Sequence, residues 1–168
     1  MNSSPHTAAT AAEPRWLDAD EQHAWRSFLR MHTQLTAQLG RAMQQESELS
    51  MADFAVLVEL TDVTEGRLRV LELARELQWE KSRLSHHLGR MEKRGLVARE
   101  ECASDKRGSW VVITAEGRRA IEAAAPRHVE LVRTLVFDRL SAPQVAALAE
   151  VSDRILAGLE GCPKAEED

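Results

Sequence analysis

The stretch VLELARELQWEKSRLSHHLGRMEKRG, residues 70–95, decides the fold. Its apolar residues recur at helical spacing in two short blocks, separated by the turn QWEK. The apolar side of the second block is formed by Leu84, Leu88 and Met91. Ser82 is the predicted N-cap of that second helix, and Gly95 is predicted to end it. Two short helices joined by a tight turn form a helix-turn-helix, whose second helix usually enters a DNA major groove.

The opposite face of this second helix carries no carboxylate. At 100° per residue its members are Ser82, Arg83, His86, Gly89, Arg90 and Lys93. Arginine can bridge guanine acceptors, serine and histidine can reach base edges, and lysine can neutralise phosphate. Gly89 costs about 1 kcal/mol of helix propensity relative to alanine, which indicates either close approach of a DNA backbone or a helix-packing contact. The face predicts a DNA-reading helix, and the alternative is a solvated helix of another small domain.

The charge distribution favours the same interpretation. The 168-residue chain has a net charge of -5, but residues 67–119 hold 13 Lys and Arg against 8 Asp and Glu. The rest of the chain holds 9 against 19 and is therefore strongly acidic. A basic region around the helix-turn-helix, with acid at both ends, is expected of a DNA reader whose other parts face away from DNA.

Composition excludes several other classes of protein. No apolar run approaches the length of a membrane span, and the N-terminal residues lack the pattern of a secretory signal. Cys102 and Cys162 do not form a disulfide framework, which fits a reducing cytoplasm. Residues 1–15 are predicted to be a disordered tail and residues 161–168 an acidic tail. No nucleophile–base pair, phosphate loop or metal-ligand spacing is present, so neither an enzyme nor a cofactor is expected.

A hairpin is predicted directly after the helix-turn-helix. Residues 96–102 and 109–114 can form its strands, and the intervening segment contains turn-forming residues. Lys106 and Arg107 would lie at the tip of this wing, within reach of a minor groove or its phosphates. The alternative is an exposed turn that is basic by chance.

Helices are predicted on both sides of the winged region. The pair Asp18 and Glu21 resembles a capping box that opens a long helix, and Ser50 with Asp53 opens the next. Thr114 is predicted to cap the helix that follows the wing. The fold class is mainly α with a small β-wing. A winged helix-turn-helix at about 50–115 would be flanked by dimerisation helices at about 18–45 and 120–160. A symmetric homodimer would set two recognition helices one DNA turn apart, roughly 34–36 Å, on a palindromic site.

The chain resembles the MarR family of transcriptional regulators from Trp16 to about Leu159. The most specific parts are LELARELQWEKSRLSHHLGRMEKRGLVARE, the wing SDKRGSWVVIT and the helix start TAEGRRAI. The resemblance implies a groove-binding Arg107 supported by Asp105 and Gly108 in the wing. On the recognition helix it implies DNA contacts from Ser82, Arg83, Ser85, His86 and Arg90. It also implies a single domain over residues 16–160, a homodimer, and operator binding, usually as a repressor released by a small, often aromatic, ligand.

The nature of the signal that releases DNA stays open in the sequence. Trp16, Trp25 and His32 are candidates for a ligand pocket, although an aromatic residue on an apolar stripe is more often core. Cys102 would lie at the end of a wing strand and Cys162 in the C-terminal tail. These positions favour a packing or incidental role for both cysteines over a redox role. Neighbouring helical residues point about 100° apart, so the pair His86 and His87 is a poor metal chelate. His86 is then predicted to contact DNA, and His87 is predicted to form a buried hydrogen bond.

A dimeric repressor bound to a palindromic operator is therefore the leading interpretation. A redox-responsive regulator, or a winged-helix interaction module without DNA binding, is the alternative.

Overall fold

The computed structural model describes residues 14–101 and 109–160. The chain divides into two units, residues 1–36 and 37–168, and the boundary falls inside the first helix. In chain order the elements are α1 (Ala19–Glu46), α2 (Met51–Asp62), β1 (Arg67–Arg69), α3 (Val70–Glu76), α4 (Lys81–Lys93), β2 (Val97–Glu101), β3 (Ser109–Ile113), α5 (Ala115–Leu135), a short 3-10 turn (Phe137–Arg139) and α6 (Ala142–Glu160). The prediction of a mainly helical chain with a small β-wing is confirmed.

The three strands form one antiparallel sheet in the order β1-β3-β2. On the central strand, Val111 lies opposite Leu68 of β1 and Arg99 of β2. The pairing of β2 with β3 extends out to Glu101 and Ser109. The two predicted wing strands are therefore confirmed, and β1 closes the sheet on the side away from β2.

The hydrophobic core lies in the second unit, among α2, α3, α4, the sheet and α5. Its largest fully buried side chains are Leu57, Leu60, Leu73, Leu84, Leu88, Met91, Val56 and Val111. Burial of each such side chain contributes about 1.5–3 kcal/mol. Because α4 supplies three of these residues, the core fixes which side of α4 faces outward.

The predicted helix starts are confirmed at three places. Asp18 Oδ1 accepts the Glu21 N–H at 2.9 Å, and Asp18 N–H donates to the Glu21 carboxylate at 2.9 Å. Ser50 and Asp53 form the reciprocal capping box of α2. The Thr114 hydroxyl caps α5. Each cap satisfies backbone donors that the first helical turn leaves unpaired.

The predicted N-cap of α4 is wrong by two residues. Glu80 is the N-cap, and its carbonyl already accepts the Leu84 N–H at 2.9 Å. Ser82 therefore lies inside the first helical turn rather than before it. The preceding turn contains Gln78 in the left-handed region, at φ 53°, a conformation that glutamine rarely adopts.

The end of α4 is confirmed at Gly95, which has φ +72°. Its N–H donates to the Glu92 carbonyl at 2.9 Å, and the Leu96 N–H donates to the Met91 carbonyl at 3.0 Å. This pair of bonds is the Schellman ending, in which glycine tolerates the left-handed backbone at little cost.

The start of α5 packs directly on the chain that leaves α4. Gly117 N–H donates to the Thr114 hydroxyl at 3.0 Å. A Cβ at residue 117 would collide with the carbonyl oxygen of Leu96 and lie 3.1 Å from a side-chain carbon of Ile113. Only glycine fits this contact. The close packing of α5 on the residue that leads into β2 therefore depends on the absence of a side chain at position 117.

Two helical segments expose apolar residues. In the first unit, the early part of α1 exposes Trp25, Phe28, Leu29 and Met31. In the second unit, α6 exposes Leu148, Val151, Ile155, Leu156 and Leu159, and none of residues 142–159 is buried. Across the described residues, no helix combines the length and apolar character that a membrane crossing requires.

Candidate nucleic-acid interface

The outward face of α4 is polar and basic. Its exposed members are Ser82, Arg83, His86, Arg90 and Lys93, and its half-buried members are Ser85 and Gly89. Leu84, Leu88 and Met91 on the opposite side are completely buried. The helix geometry therefore brings together every recognition-helix residue that the sequence predicted for DNA contact, although it does not test the contact itself.

The cations of this face differ from other cations of the winged region in their partners. Arg67, Arg94 and Arg99 each pair with a carboxylate. Among the described residues, no carboxylate pairs with Arg83, Arg90 or Lys93. Positive charge without an internal counterion is available to an external anion such as phosphate.

Gly89 lies on this face with open space above it. A Cβ built at Gly89 meets no neighbouring atom within 4 Å in the described part of the chain. The alternative that Gly89 serves a helix-packing contact therefore finds no support among the described residues. The cost of a helical glycine remains, and close approach of an external molecule is the other interpretation that the sequence offers.

Arg99 on β2 connects the wing to α4. Its Nε lies 3.1 Å from the Glu92 carboxylate, and its Nη2 donates to the Ser85 carbonyl at 2.9 Å. The wing strands are thereby held against the recognition helix. The predicted tip residues Asp105, Lys106, Arg107 and Gly108 lie outside the described residues, as do Cys102 and Cys162.

A buried carboxylate lies beneath the end of α4. Asp53 is 2% exposed, and its Oδ2 lies 2.7 Å from Arg94 Nη1 and 2.9 Å from the backbone nitrogen of Ser50. Burial acts to raise the pKa of Asp53, but the contacts with His87, Arg94 and Ser50 together outweigh it and hold the pKa of Asp53 well below its usual value. Arg94 also donates to the Glu48 carbonyl. Asp53 thus ties the end of the recognition helix to the start of α2.

His87 joins this carboxylate to the outward face. His87 is 6% exposed, and Arg90 Nη2 lies 2.8 Å from its Nδ1. Its Nε2 lies 3.1 Å from Asp53 Oδ1, an ion-pair distance, but the N–H is not aligned as in a regular hydrogen bond. The predicted buried hydrogen bond of His87 is confirmed at Nδ1, with Arg90 as the partner.

Trp79 supports the other arginine of the face. The guanidinium carbon of Arg83 lies 4.6 Å from the centre of the Trp79 ring, a cation–π distance. The same ring meets His87 edge-on, with centroids 5.5 Å apart and planes at 88°. The sequence pattern assigned Trp79 only to the turn and Asp53 only to a cap. His87 and Arg90 lie three residues apart on α4, the spacing of a helical side-chain pair, and this is the signal that could have revealed their contact. Trp79 precedes α4, so its contact with Arg83 has no such signal.

The candidates for a ligand pocket lie elsewhere in the chain. Trp25, Phe28 and His32 stack along α1, with successive ring centroids 5.8 and 6.3 Å apart. Trp16 is 83% exposed. Two cavities formed by described residues are lined by other side chains than Trp16, Trp25 and His32. Their role in ligand binding stays a prediction.

Those two cavities differ in size and character. One, of about 30 Å³, lies between the second half of α1 and α5, beside His128, whose pKa burial lowers. The other is an open groove of about 450 Å³. The groove is lined by Gln44, Ser47, Glu48, Leu49, Ser50, Asp53, His87, Arg90 and Arg94. Only the groove adjoins the basic face of α4.

The helix-turn-helix, its three-stranded sheet and the basic face define a winged helix-turn-helix protein. The transcriptional regulator HosA of Escherichia coli O127:H6 is 33% identical to this chain over 104 residues, which cover 62% of this chain and 71% of HosA. The chain belongs to the MarR family, whose sequence profile matches residues 47–108.

Solved structures agree with this assignment. The crystal structure of Sco3205, a MarR family transcriptional regulator from Streptomyces coelicolor in complex with DNA, is 41% identical, with a TM-score of 0.84. That match covers 92% of this chain and 97% of Sco3205. AbsC, a MarR family transcriptional regulator of the same organism, is 38% identical with a TM-score of 0.84, over 89% of this chain and 100% of AbsC.

Proposed function

We propose that this protein is a homodimeric transcriptional regulator that binds operator DNA through α4 and the wing. The observation that carries the proposal is the face of α4, where Arg83, Arg90 and Lys93 have no carboxylate partner in the described residues. Sco3205, which is similar over nearly its whole length, was crystallised with DNA. A helix end held by Asp53 and a wing held by Arg99 present this face as one preorganised surface.

Roles for individual residues follow from their chemistry. Arg83 and Arg90 reach base edges or phosphates, Lys93 neutralises phosphate, and Ser82, Ser85 and His86 supply hydrogen bonds. In the wing, Lys106 and Arg107 contact the minor groove and its phosphates, supported by Asp105 and Gly108.

A homodimer accounts for the apolar residues at the chain ends. The exposed apolar residues of α6 form a continuous stripe and are not scattered over its surface, because Val151, Ile155 and Leu159 recur on one side of the helix. An isologous dimer buries such a side against its own copy, and two-fold symmetry then matches a palindromic operator. The regulator acts as a repressor in this proposal.

Release by a small ligand is the remaining part of the proposal. The groove of about 450 Å³ falls within the size range of small-molecule sites, and Arg90 and Arg94 line it. A small aromatic carboxylate bound there would contact Arg90 and compete with DNA for it. A panel of such compounds tested for loss of DNA binding would identify the class, and loss of the response in Arg94→Ala would place it in the groove.

The central test measures DNA affinity. A binding sequence is selected from a random DNA pool, and fluorescence anisotropy then gives the Kd of the full chain. Arg83→Ala and Arg90→Ala each weaken binding about 10- to 100-fold. Arg133→Ala is the matched control, because it removes an exposed cation from α5. The Arg133 side chain is 66% exposed, and its Nη2 lies 3.6 Å from Asp138 Oδ1.

Salt dependence separates this proposal from an interaction module. A dimer with six to ten phosphate contacts loses about 10³–10⁵ in affinity between 50 and 200 mM salt. Wild-type affinity in Arg83→Ala and Arg90→Ala, or selection that enriches no sequence, would reject α4 as the DNA-binding face.

A further inference from the structure

Both arginines of the α4 face rest on one pair of rings. Arg83 lies over Trp79 at 4.6 Å, and Arg90 Nη2 lies 2.8 Å from His87 Nδ1. Trp79 and His87 meet edge-on at 5.5 Å. His87 is nine-tenths buried, whereas both arginines are exposed. The exposed cations are therefore attached to an internal support rather than moving freely in solvent.

The contact with Arg90 fixes the proton on His87. A guanidinium has only donors, so Nδ1 must be the acceptor in this contact. In the neutral ring the proton then sits on Nε2, which lies 3.1 Å from Asp53 Oδ1. Asp53 itself is held by Arg94 and Ser50. A chain of contacts thus runs from the buried carboxylate through the imidazole to the guanidinium on the surface.

We propose that His87 is a positioning residue that presents Arg90 to DNA, with Asp53 orienting the His87 ring and Trp79 holding Arg83 in the same way. This inference rests on the proposed DNA-binding function. Arginine has a large rotamer entropy, and ordering one long side chain on binding weakens association by about 2- to 12-fold. An arginine that is already held in the free protein avoids most of that loss.

The same geometry permits an opposite role that the experiment must separate. If Arg90 had to leave His87 in order to reach DNA, the contact would compete with DNA, and removal of Nδ1 would tighten binding. Positioning predicts weaker binding from the same change. The sign of the effect therefore decides between the two roles.

Two polar substitutions of similar size distinguish the two ring nitrogens. His87→Asn keeps a polar group near the position of Nδ1, and His87→Gln keeps one near Nε2 but offers none at Nδ1. We expect His87→Asn to bind the selected DNA within about twofold of wild type, and His87→Gln to bind about three- to tenfold more weakly. Thermal unfolding followed by circular dichroism checks that both variants are folded.

The Arg90→Ala background supplies the readout that a purely structural role would not change. There the difference between His87→Asn and His87→Gln disappears, because no guanidinium is left to position. Tighter binding by His87→Gln, equal binding by the two variants, or an equal loss in the Arg90→Ala background would overturn the inference. If Arg83→Ala and Arg90→Ala both bind like wild type, the proposed DNA-binding face fails, and the inference fails with it. If only Arg90→Ala binds like wild type, the role of His87 fails while the proposed face stands.

If a His87 variant does not fold, the contact between Trp79 and Arg83 provides a second test of the proposal. Trp79→Met removes the ring under Arg83 while keeping an apolar side chain. We expect about three- to tenfold weaker binding, and no further loss in the Arg83→Ala background. An equal loss with and without the Arg83 guanidinium would show that Trp79 acts only on stability.

Discussion

The winged core and α6 use apolar residues in opposite ways. In the core, Leu84, Leu88 and Met91 of α4 are completely buried by partners within the chain. In α6, Ile155 and Leu159 are 56% and 65% exposed. Both helices are amphipathic, but only α4 has its apolar side covered by the same chain. The difference separates a helix whose apolar side is covered within the chain from one whose apolar side is left exposed.

Polar groups follow the same division. Beneath α4, Asp53 is buried and held by Arg94 and Ser50. On α6, Arg154 pairs with Glu150 at 3.1 Å, but both side chains are at least 67% exposed. Exposed pairs of this kind contribute little. The winged core therefore has specific internal anchors, whereas the polar contacts described on α6 are exposed.

The largest expected effect comes from two glycines that differ only in their surroundings. Gly117→Ala places a Cβ against the Leu96 carbonyl, whereas a Cβ at Gly158 of α6 meets no neighbouring atom within 4 Å in the described residues. We expect Gly117→Ala to lower the free energy of unfolding by about 3 kcal/mol or more. Gly158→Ala raises it by up to about 1 kcal/mol. Urea unfolding measures both, and equal effects would mean that α5 does not pack on the wing as described.

A charge placed on the apolar side of α6 tests whether that exposed side forms the proposed dimer interface. Ile155→Glu would place a carboxylate in the proposed dimer interface, at a cost of about 3 kcal/mol, equivalent to an increase of more than 100-fold in the dimer Kd. Ala157→Glu is the control, since it adds the same charge about 160° away around the helix. Sedimentation velocity across a concentration series gives the Kd. A dimer unaffected by Ile155→Glu would exclude this side of α6 from the interface.

Asp53→Asn tests the buried anchor through its pH dependence. The pKa of folded Asp53 is held below its usual value, so its contribution to stability is present above the unfolded pKa of about 3.9 and is lost as pH falls through the lower folded pKa. At pH 7 we expect the variant to be about 2 kcal/mol less stable. That deficit shrinks as pH falls below about 4. Urea unfolding from pH 7 to pH 3 measures it, with Asp153→Asn on exposed α6 as the control.

A deficit in Asp53→Asn that stays constant down to pH 3 would contradict the charge account. It would leave only shape and neutral hydrogen bonding to explain the role of Asp53.

Local chemistry made most of the fold predictable from sequence. Period and caps are properties of neighbouring residues, so the helix start at Ser50, the cap at Thr114 and the end of α4 at Gly95 are all correct. The N-cap of α4 failed because the turn before it uses Gln78 in a left-handed conformation. Glutamine gives no sequence signal for that geometry, and Ser82 is the nearest residue with favourable capping chemistry.

The residues of the outward face of α4 could be predicted from sequence, but the buried contacts beneath that face could not. Arg83 and Arg90 follow from the phase of α4 alone. The contact of Asp53 with Arg94 spans 41 residues, and no local pattern specifies which buried cap will meet which arginine. Tertiary docking of α2 on α4 decides that pairing, and it becomes visible only when both helices are in place.

Gly89 offers the smallest change in stability and a direct test of how closely DNA approaches. Like Gly158 of α6, it has open space at its Cβ within the described residues, so Gly89→Ala raises the free energy of unfolding by about 1 kcal/mol. Unlike Gly158, it lies on the basic face, where a methyl group would meet a closely bound DNA backbone. We expect the stabilised variant to bind the selected DNA about tenfold more weakly, equivalent to 1.4 kcal/mol, while Gly158→Ala binds like wild type. Higher stability with unchanged affinity would show that DNA stays clear of this part of the helix.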